Sequence, residues 1–98
     1  MVPWTVYILK CSDNSYYVGH TENLENRIKL HNSGKGAKHT ATRRPITLKY
    51  QEPASSKQEA IKRELQIKRW SRLKKEALIR GDIERLRNLS HSRSTDSI

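Results

Sequence analysis

The sequence predicts an α+β fold with the element order β-β-α-β-α-α, and three observations support this prediction. First, runs of β-branched and aromatic residues at 4–9 and 16–20 flank a cluster of turn-forming residues, a pattern typical of an antiparallel hairpin. Second, residues 46–52 alternate apolar and polar side chains, as a half-buried strand does. Third, capping residues open segments of helical periodicity before and after that strand.

Composition limits the core and indicates a polyanionic partner. Only 34% of the 98 residues are hydrophobic, so the single domain has a small core. Twenty Lys and Arg residues against ten Asp and Glu give a formal charge of +10. Nucleic acid is the usual partner of such an excess, with ribosomes and anionic lipid as alternatives. The expected core residues are Trp4, Val6, Ile8, Leu9, Val18, Leu24, Ile28, Ile46, Leu48, Ile61, Leu65, Ile67 and those near Leu78.

Several classes of protein are disfavoured. One cysteine, Cys11, rules out a disulfide framework, and the four histidines lack the paired spacing of a zinc site. No stretch approaches the roughly 18 apolar residues of a membrane span, and no signal-peptide pattern precedes the first strand. We therefore expect a reduced, cytoplasmic protein with no membrane contact, and a monomer by default.

The first helix, at 22–32, is expected to start after Thr21 as its N-cap. One stripe of this helix contains Leu24, Ile28 and His31. Arg27 precedes His31 by four residues, so the two side chains are neighbours on the helix surface. Both could point at whatever lies over the hairpin. Helix geometry alone favours the simpler alternatives, in which Arg27 extends to solvent and His31 caps the helix end.

A glycine-containing basic loop is expected at 32–40. Glycines let backbone approach a phosphate closely, and the nearby cations would neutralise it. The spacing of a Walker loop is absent. An ordinary connector explains the loop almost as well. The nearby cations are Lys35, Lys38, Arg43 and Arg44.

The next helix, at 57–69, follows a strand that is expected to end at Pro53, and Ser56 with Glu59 forms its capping box. Its inward arc is bordered by Ala60, Ile61, Leu65 and Ile67. Glu64 falls inside that arc, where an unpaired carboxylate is costly. Two alternatives remain equal on geometry: a surface ion pair with Lys68, or a metal-binding carboxylate that faces the tyrosines.

Two more helices are expected at the C-terminal end. Ser71 would cap a helix at 72–80, which Gly81 would terminate, and Asp82 would cap a short helix at 83–89. Residues 90–98 are rich in serine and poor in apolar residues, so we expect a disordered tail.

Two triplets, Thr5-Val6-Tyr7 and Tyr17-Val18-Gly19, are followed in order by Arg27, His31 and Glu64. With this set the chain resembles the GIY-YIG nuclease family, specifically its small stand-alone bacterial members. The resemblance spans about residues 4–79 and departs from the family pattern at Thr5, which replaces the first glycine. It implies a three-stranded antiparallel sheet flanked by helices, with the nuclease-like domain at residues 1–82.

The resemblance also implies an activity, the metal-dependent cutting of DNA phosphodiester bonds with one divalent ion, Mg²⁺ or Mn²⁺. Glu64 would hold the metal, Tyr7 would deprotonate the attacking water, and Tyr17 would orient water or phosphate. Arg27 would stabilise charge on the scissile phosphate, and His31 matches a position that varies among subfamilies. A single carboxylate suits Mg²⁺, which keeps several waters, better than a two-metal site.

The chain has no additional DNA-reading domain in the sequence given, so we expect low sequence specificity and allow for selection by DNA structure. The residues expected to hold the DNA backbone are Lys35, Lys38, Arg43, Arg44, Lys62, Lys68 and Arg72. One alternative is a non-catalytic nucleic-acid-binding module on the same scaffold, and another is an adaptor that docks on a larger assembly. Neither alternative needs Glu64. The residues alone assign no role to His20 or His39.

Overall fold

A computed structural model describes residues 4–91 of the chain. The chain divides into two compact units, Met1–Lys68 and Arg69–Ile98. Among the described residues, the first unit contains the sheet with three helices, and the second contains two helices. The domain boundary at residue 82 stays a prediction. Residues 92–98 of the expected tail lie outside the described residues.

The strands form one antiparallel sheet, which confirms the predicted α+β architecture. They are β1 (Trp4–Lys10), β2 (Tyr16–Thr21) and β3 (Thr47–Ala54). The central strand is β1, with β2 and β3 at its two edges. The third strand runs further than expected, through Pro53. Proline is tolerated there because β3 is an edge strand and needs hydrogen bonds on one side only.

The register of β1 against β2 decides which side chains share a face of the sheet. Tyr7 lies opposite Gly19, Leu9 lies opposite Tyr17, and Val6 lies opposite His20. Successive residues of a strand point to opposite faces. We therefore distinguish the Tyr7 face, which includes Tyr17, from the Val6 face, which includes His20.

Both faces are covered at the central strand, because residues 6–9 of β1 are each at most 2% exposed. The helices of the first unit are α1 (Leu24–Asn32), α2 (Lys38–Ala41) and α3 (Lys57–Lys68). On the Tyr7 face, Leu24 and Ile28 of α1 pack against a cluster that includes Tyr7, Leu9 and Ile46. α3 contacts all three strands and covers the Val6 face.

Two predictions about the helices on the Tyr7 face need correction. α1 is capped by Asn23, whose side chain accepts a hydrogen bond from the Asn26 N–H at 3.1 Å, and not by Thr21. Thr21 belongs to β2 as its last residue, so it lies before the start of the helix. The loop at 32–40 contains the start of α2, which no sequence signal indicated, because its N-cap Ala37 makes no side-chain hydrogen bond.

The buried stripe of α3 is narrower than the helical wheel predicted. Ala60 and Ile67 are fully buried, whereas Ile61 and Leu65 are 37% and 48% exposed, so the core prediction was wrong for the latter two. Residues 60, 64 and 67 share one side of a helix by their spacing, which places Glu64 in the middle of the buried stripe. The Glu59 N–H donates to the Ser56 hydroxyl at 3.1 Å, which confirms Ser56 as a cap.

The second unit contains α4 (Arg72–Arg80) and α5 (Ile83–His91). Ser71 caps α4, and Gly81 ends it in the left-handed conformation, as predicted. Asp82 accepts a hydrogen bond from the Arg85 N–H and so caps α5, which extends two residues beyond the predicted end. Among residues 4–91, no helix has both the length and the apolar character needed to cross a membrane.

Candidate active site

A buried tyrosine and a glycine lie opposite each other on β1 and β2. The Tyr7 side chain is 2% exposed. A Cβ atom at Gly19 would lie 2.5 Å from the Tyr7 hydroxyl oxygen and 2.7 Å from the ring carbon that bears it. Any side chain at position 19 would therefore displace this hydroxyl. The glycine of the second triplet has a packing role, which is to leave space for the phenol of the first.

The Tyr7 hydroxyl is hydrogen-bonded to His31, which lies at 3.1 Å through Nε2. The Thr40 hydroxyl donates its one proton to the Ala37 carbonyl at 3.0 Å. Its oxygen must then accept from Nδ1–H of His31, at 2.7 Å. With Nδ1 protonated, Nε2 of a neutral His31 is an acceptor, and the Tyr7 O–H donates to it. This chain of bonds fixes the tautomer of His31.

Burial keeps both members of this pair neutral. It raises the pKa of Tyr7 well above its usual value, and the Tyr17 phenol adds to the rise. Burial also lowers the pKa of His31, with the Arg27 guanidinium contributing. A desolvated site disfavours the charged form of each group. Near neutral pH, the phenol therefore keeps its proton and the imidazole keeps a free electron pair on Nε2.

The second phenol, Tyr17, extends this cluster of rings on the Tyr7 face. Its ring centroid lies 6.5 Å from that of Tyr7 and 5.1 Å from that of His31. On its other side the ring of His39 stacks at 6.1 Å with an interplanar angle of 27°. Tyr17 is half-buried. The structure thus brings both predicted tyrosines and the predicted histidine into one cluster.

Arg27 acts on this cluster through its charge. It lies on α1 one turn before His31. Its positive charge lowers the pKa of His31 and offsets part of the rise in the pKa of Tyr7. Within residues 4–91 its guanidinium has no ion-pair partner. A guanidinium without a carboxylate partner is suited to form bidentate hydrogen bonds to a phosphate.

Glu64 lies on α3 and has a charged environment of its own. Its Oε1 is 2.6 Å from Nδ1 of His20, and its Oε2 is 2.7 Å from Nζ of Lys68. Glu64 forms the expected ion pair with Lys68. The pair is not a purely surface one, because the Glu64 side chain is only 14% exposed. Because His20 belongs to the Val6 face, Glu64 lies across the sheet from both tyrosines, and the expectation that this carboxylate faces them was wrong. Its charge still reaches Tyr7, whose pKa it raises.

A family model described as the GIY-YIG catalytic domain matches residues 3–77 of this chain. The chain belongs to the GIY-YIG family. A UPF0213 protein of Staphylococcus haemolyticus is 60% identical over 74 residues, which cover 76% of this chain and 90% of that protein. A UPF0213 protein of Bacillus pumilus is 49% identical over 73 residues, or 74% of each chain.

A solved structure agrees with this GIY-YIG fold. The solution NMR structure of a UPF0213 protein from Bacillus halodurans is 47% identical and superposes with a TM-score of 0.51. The match covers 78% of this chain and 81% of that chain. The matched family model includes the strands and helices that position Tyr7, His31 and Glu64. The family is a nuclease family, which makes nucleic acid the expected class of substrate.

GIY-YIG nucleases generally depend on a divalent metal, and the donor chemistry of Glu64 fits such an ion. Mg²⁺ binds hard oxygen ligands and keeps several of its waters, so one carboxylate together with a substrate phosphate can hold it. Among the described residues, no three His, Cys, Asp or Glu side chains form a metal-binding group. A single carboxylate suits hydrated Mg²⁺ or Mn²⁺, whereas a closed zinc site needs four protein ligands.

The two glycines of the basic loop have distinct structural roles. A Cβ atom at Gly36 would lie 2.5 Å from Nδ1 and 2.9 Å from Cγ of His31. Gly34 has a φ of +85°, a conformation that favours glycine, and packs under the guanidinium of Arg44. The loop therefore lies against the His31 ring as closely as backbone can.

The two arginines that the sequence analysis assigned to DNA binding hold the loop in place. Arg43 donates to the Asp13 carboxylate at 2.8 Å and to the His39 carbonyl at 3.0 Å. Arg44 donates to the carbonyls of Ala41 and Asn32. These contacts give both guanidinium groups a structural role in the loop.

The predicted DNA-binding lysines differ in how much they are engaged. Lys35 and Lys38 are exposed, and neither has an ion-pair partner within the part of the chain that the structure describes. Lys62 lies 3.8 Å from Glu59, Lys68 contacts Glu64, and Arg72 contacts Glu76 at 3.2 Å. The loop lysines are thus the cations most available to a phosphate backbone.

Three parts of this arrangement were not predicted from the sequence. Thr40 lies nine residues after His31 in a loop, so no periodic pattern linked them. The hairpin turn contacts His39, because Ser15 donates to Asp13 at 2.6 Å and accepts from Nε2–H of His39 at 2.9 Å. Strand alternation places His20 on the face opposite Tyr7 and Gly19, but its contact with Glu64 also depends on which face α3 covers.

Proposed function

We propose that this chain is a divalent-metal-dependent endonuclease that hydrolyses DNA phosphodiester bonds. The observation that supports it best is the hydrogen bond from Tyr7 to Nε2 of His31, with Nδ1 held by Thr40. A buried tyrosine and a neutral histidine in this order form a proton relay. A protein that only bound DNA would have no need for a base behind the phenol.

In the proposed reaction, a water molecule attacks the phosphorus of the scissile bond. As its oxygen bonds to phosphorus, the water gives a proton to the Tyr7 oxygen, and Tyr7 passes its own proton to Nε2 of His31. The bond from phosphorus to the leaving oxygen breaks with its electron pair, and that oxygen takes a proton from solvent. His31 ends as an imidazolium, whose Nδ1–H still donates to Thr40.

This relay avoids the problem of a tyrosine base. Burial raises the pKa of Tyr7, so a stable phenolate would be rare near neutral pH. If His31 takes the proton as Tyr7 accepts one, no free phenolate has to form. The acceptor is then an imidazole, and burial, which lowers the pKa of His31, keeps it in the neutral form that can take a proton.

The charged groups support the same reaction. Arg27 would bind the scissile phosphate and stabilise the negative charge that builds up on it. Glu64 would hold the divalent ion, which when bound would neutralise charge on the phosphate and the leaving oxygen. Lys35 and Lys38 would bind flanking phosphates, while Arg43 and Arg44 keep the loop against His31. Contacts of this kind read the backbone and carry no sequence information.

The test is single-turnover cleavage of a panel of duplex, nicked, branched and single-stranded DNA in the presence of Mg²⁺. Wild type is compared with Glu64→Ala and Arg27→Ala. The matched controls are Glu59→Ala, an exposed acid on the same helix, and Lys29→Ala, an exposed cation on the same helix as Arg27. We expect the two site variants to lose cleavage and the two controls to keep it.

Two outcomes would contradict the proposal. Equal cutting by all five proteins would indicate a contaminating nuclease. Salt-sensitive DNA binding without cleavage, unchanged in Glu64→Ala, would favour a non-catalytic binding module.

A further inference from the structure

Each oxygen of the Glu64 carboxylate has one partner, a histidine N–H or a lysine ammonium. His20 contacts Oε1 at 2.6 Å, and Lys68 contacts Oε2 at 2.7 Å. An ionised carboxylate only accepts hydrogen bonds, so Nδ1 of His20 must be the donor. Each oxygen therefore has one partner in the protein alone and keeps a further lone pair. A divalent ion on the same carboxylate would lie beside the Lys68 ammonium, whose like charge opposes it, so Lys68 competes with the ion for Oε2.

The two partners are not equally easy to displace. The His20 side chain is 25% exposed, and its ring packs against Trp4 with centroids 5.7 Å apart. It is also tied to β2, where its register partner is Val6 of the central strand. Lys68 is 45% exposed and reaches Glu64 with a long, flexible side chain from one turn further along α3. Displacing Lys68 moves one mobile side chain, whereas displacing His20 disturbs the sheet.

We propose that His20 is a positioning residue that fixes Glu64 through Oε1, and that Lys68 is a displaceable counter-ion that yields Oε2 to the divalent ion. This inference rests on the proposed function and adds two residues to it. Outer partners that orient a ligating side chain commonly change metal affinity by an order of magnitude or more when they are removed. A released Lys68 ammonium would be free to bind a phosphate of the DNA.

The experiment is an NMR titration of the full, DNA-free chain with Mg²⁺, which follows the Glu64 carboxyl carbon and the Lys68 ammonium group. In wild type, we expect one saturable change at Glu64 together with loss of the Lys68 contact. His20→Ala should weaken the apparent Mg²⁺ affinity by about tenfold. His20→Asn, whose amide N–H lies near the position of Nδ1, should restore part of it.

Lys68→Gln should have the opposite effect, because it removes the competitor. We expect Mg²⁺ to bind about two- to fivefold more tightly, the size of a partly exposed ion pair. Lys29→Gln is the control, since that lysine forms the same i,i+4 pair with Glu25 on α1 and should leave the affinity unchanged. Unfolded variants are recognised by their amide spectra, and His20→Asn keeps the test valid if His20→Ala does not fold.

The outcomes separate this inference from the proposed function. If His20→Ala and His20→Asn bind Mg²⁺ like wild type, or if Lys68→Gln does not tighten binding, the inference fails even where Glu64→Ala abolishes cleavage. Absence of any Mg²⁺ effect at Glu64 in a protein that cleaves DNA also overturns it. If Glu64→Ala cleaves like wild type, the proposed function fails whatever the titration gives.

Discussion

The two faces of the sheet are built in opposite ways. On the Tyr7 face, Tyr7, His31 and Thr40 are at most 2% exposed, uncharged near neutral pH, and linked by hydrogen bonds with fixed directions. On the Val6 face, Glu64 and Lys68 form a charged, partly exposed pair, and His20 donates to the same carboxylate. The difference fits the two tasks that we propose for these faces: proton transfer needs donors and acceptors with fixed directions, whereas a hydrated ion needs a charge that water can reach.

Removing the Tyr7 hydroxyl should have the largest effect, because it removes the hydrogen bond to His31 and leaves the contacts of the Val6 face in place. We expect Tyr7→Phe to lower the single-turnover cleavage rate by about 10²- to 10⁴-fold, the usual contribution of a positioned acid or base. Mg²⁺ binding at Glu64 should not change. Tyr50→Phe is the control, since its hydroxyl donates to Glu52 on the other face. Equal loss in both variants would mean that the hydroxyl acts through folding.

Filling the space beside the phenol should have the next largest effect. In Gly19→Ala the new Cβ atom must push the Tyr7 hydroxyl away from His31, because it would otherwise lie 2.5 Å from that oxygen. We expect a loss of about 1–3 kcal/mol in the free energy of unfolding, together with a large loss of cleavage. Thermal and urea unfolding measure the first. If Gly19→Ala keeps wild-type stability and activity, the close approach of these two residues is not important.

The hydrogen bond between Nδ1 of His31 and the Thr40 hydroxyl should hold the tautomer that the proposed relay needs. Thr40→Val keeps the shape of the side chain but leaves Nδ1–H of His31 without its acceptor, at a cost of about 1–3 kcal/mol in stability. Thr40→Ser should stay close to wild type. Nitrogen NMR of the His31 ring should find Nδ1 protonated in wild type and the other tautomer more populated in Thr40→Val. A ring that has Nε2 protonated in wild type would contradict the proposed relay.

The smallest effect is expected where the hairpin turn holds α2. Hydrogen bonds from the Ser15 hydroxyl and backbone N–H, followed by Arg43, lower the pKa of Asp13 from 3.8 to about 2. Folding therefore favours the ionised carboxylate, and its stabilisation is present above pH 3.8 and lost as the pH falls through about 2. Wild type should be more stable than Asp13→Asn near pH 5, and the two should converge on acidification. A gap that is constant with pH would exclude this carboxylate as the cause.

Local sequence signals accounted for the strands and for most helix caps. The hairpin, the caps at Ser56, Ser71 and Asp82, and the turn at Gly81 all follow from side chains that act on their own neighbours. The Asn23 cap was missed because Thr21, two residues earlier, is an equally good capping residue type. Capping propensity alone does not distinguish Thr21 from Asn23. The position at which β2 ends determines which of the two caps α1.

The motif residues were predictable from the sequence, whereas their partners were not. Tyr7, Tyr17 and His31 could be selected by resemblance, but Thr40 enters the site through a one-turn helix with no capping signal. The helical wheel recognised Glu64 as a carboxylate on the buried side of α3. It could not supply His20, because that contact depends on which face of the sheet the helix covers. Contacts between elements of this kind require the register, which only the folded chain provides.

The most direct test of the proposed relay is a double-mutant cycle between Tyr7→Phe and His31→Gln, measured by single-turnover cleavage with saturating Mg²⁺. Residues that act as one unit are strongly non-additive. We predict that the double variant cleaves no more slowly than the slower of the two single variants. If instead the two losses multiply, Tyr7 and His31 act independently and the proton relay through Nε2 is wrong.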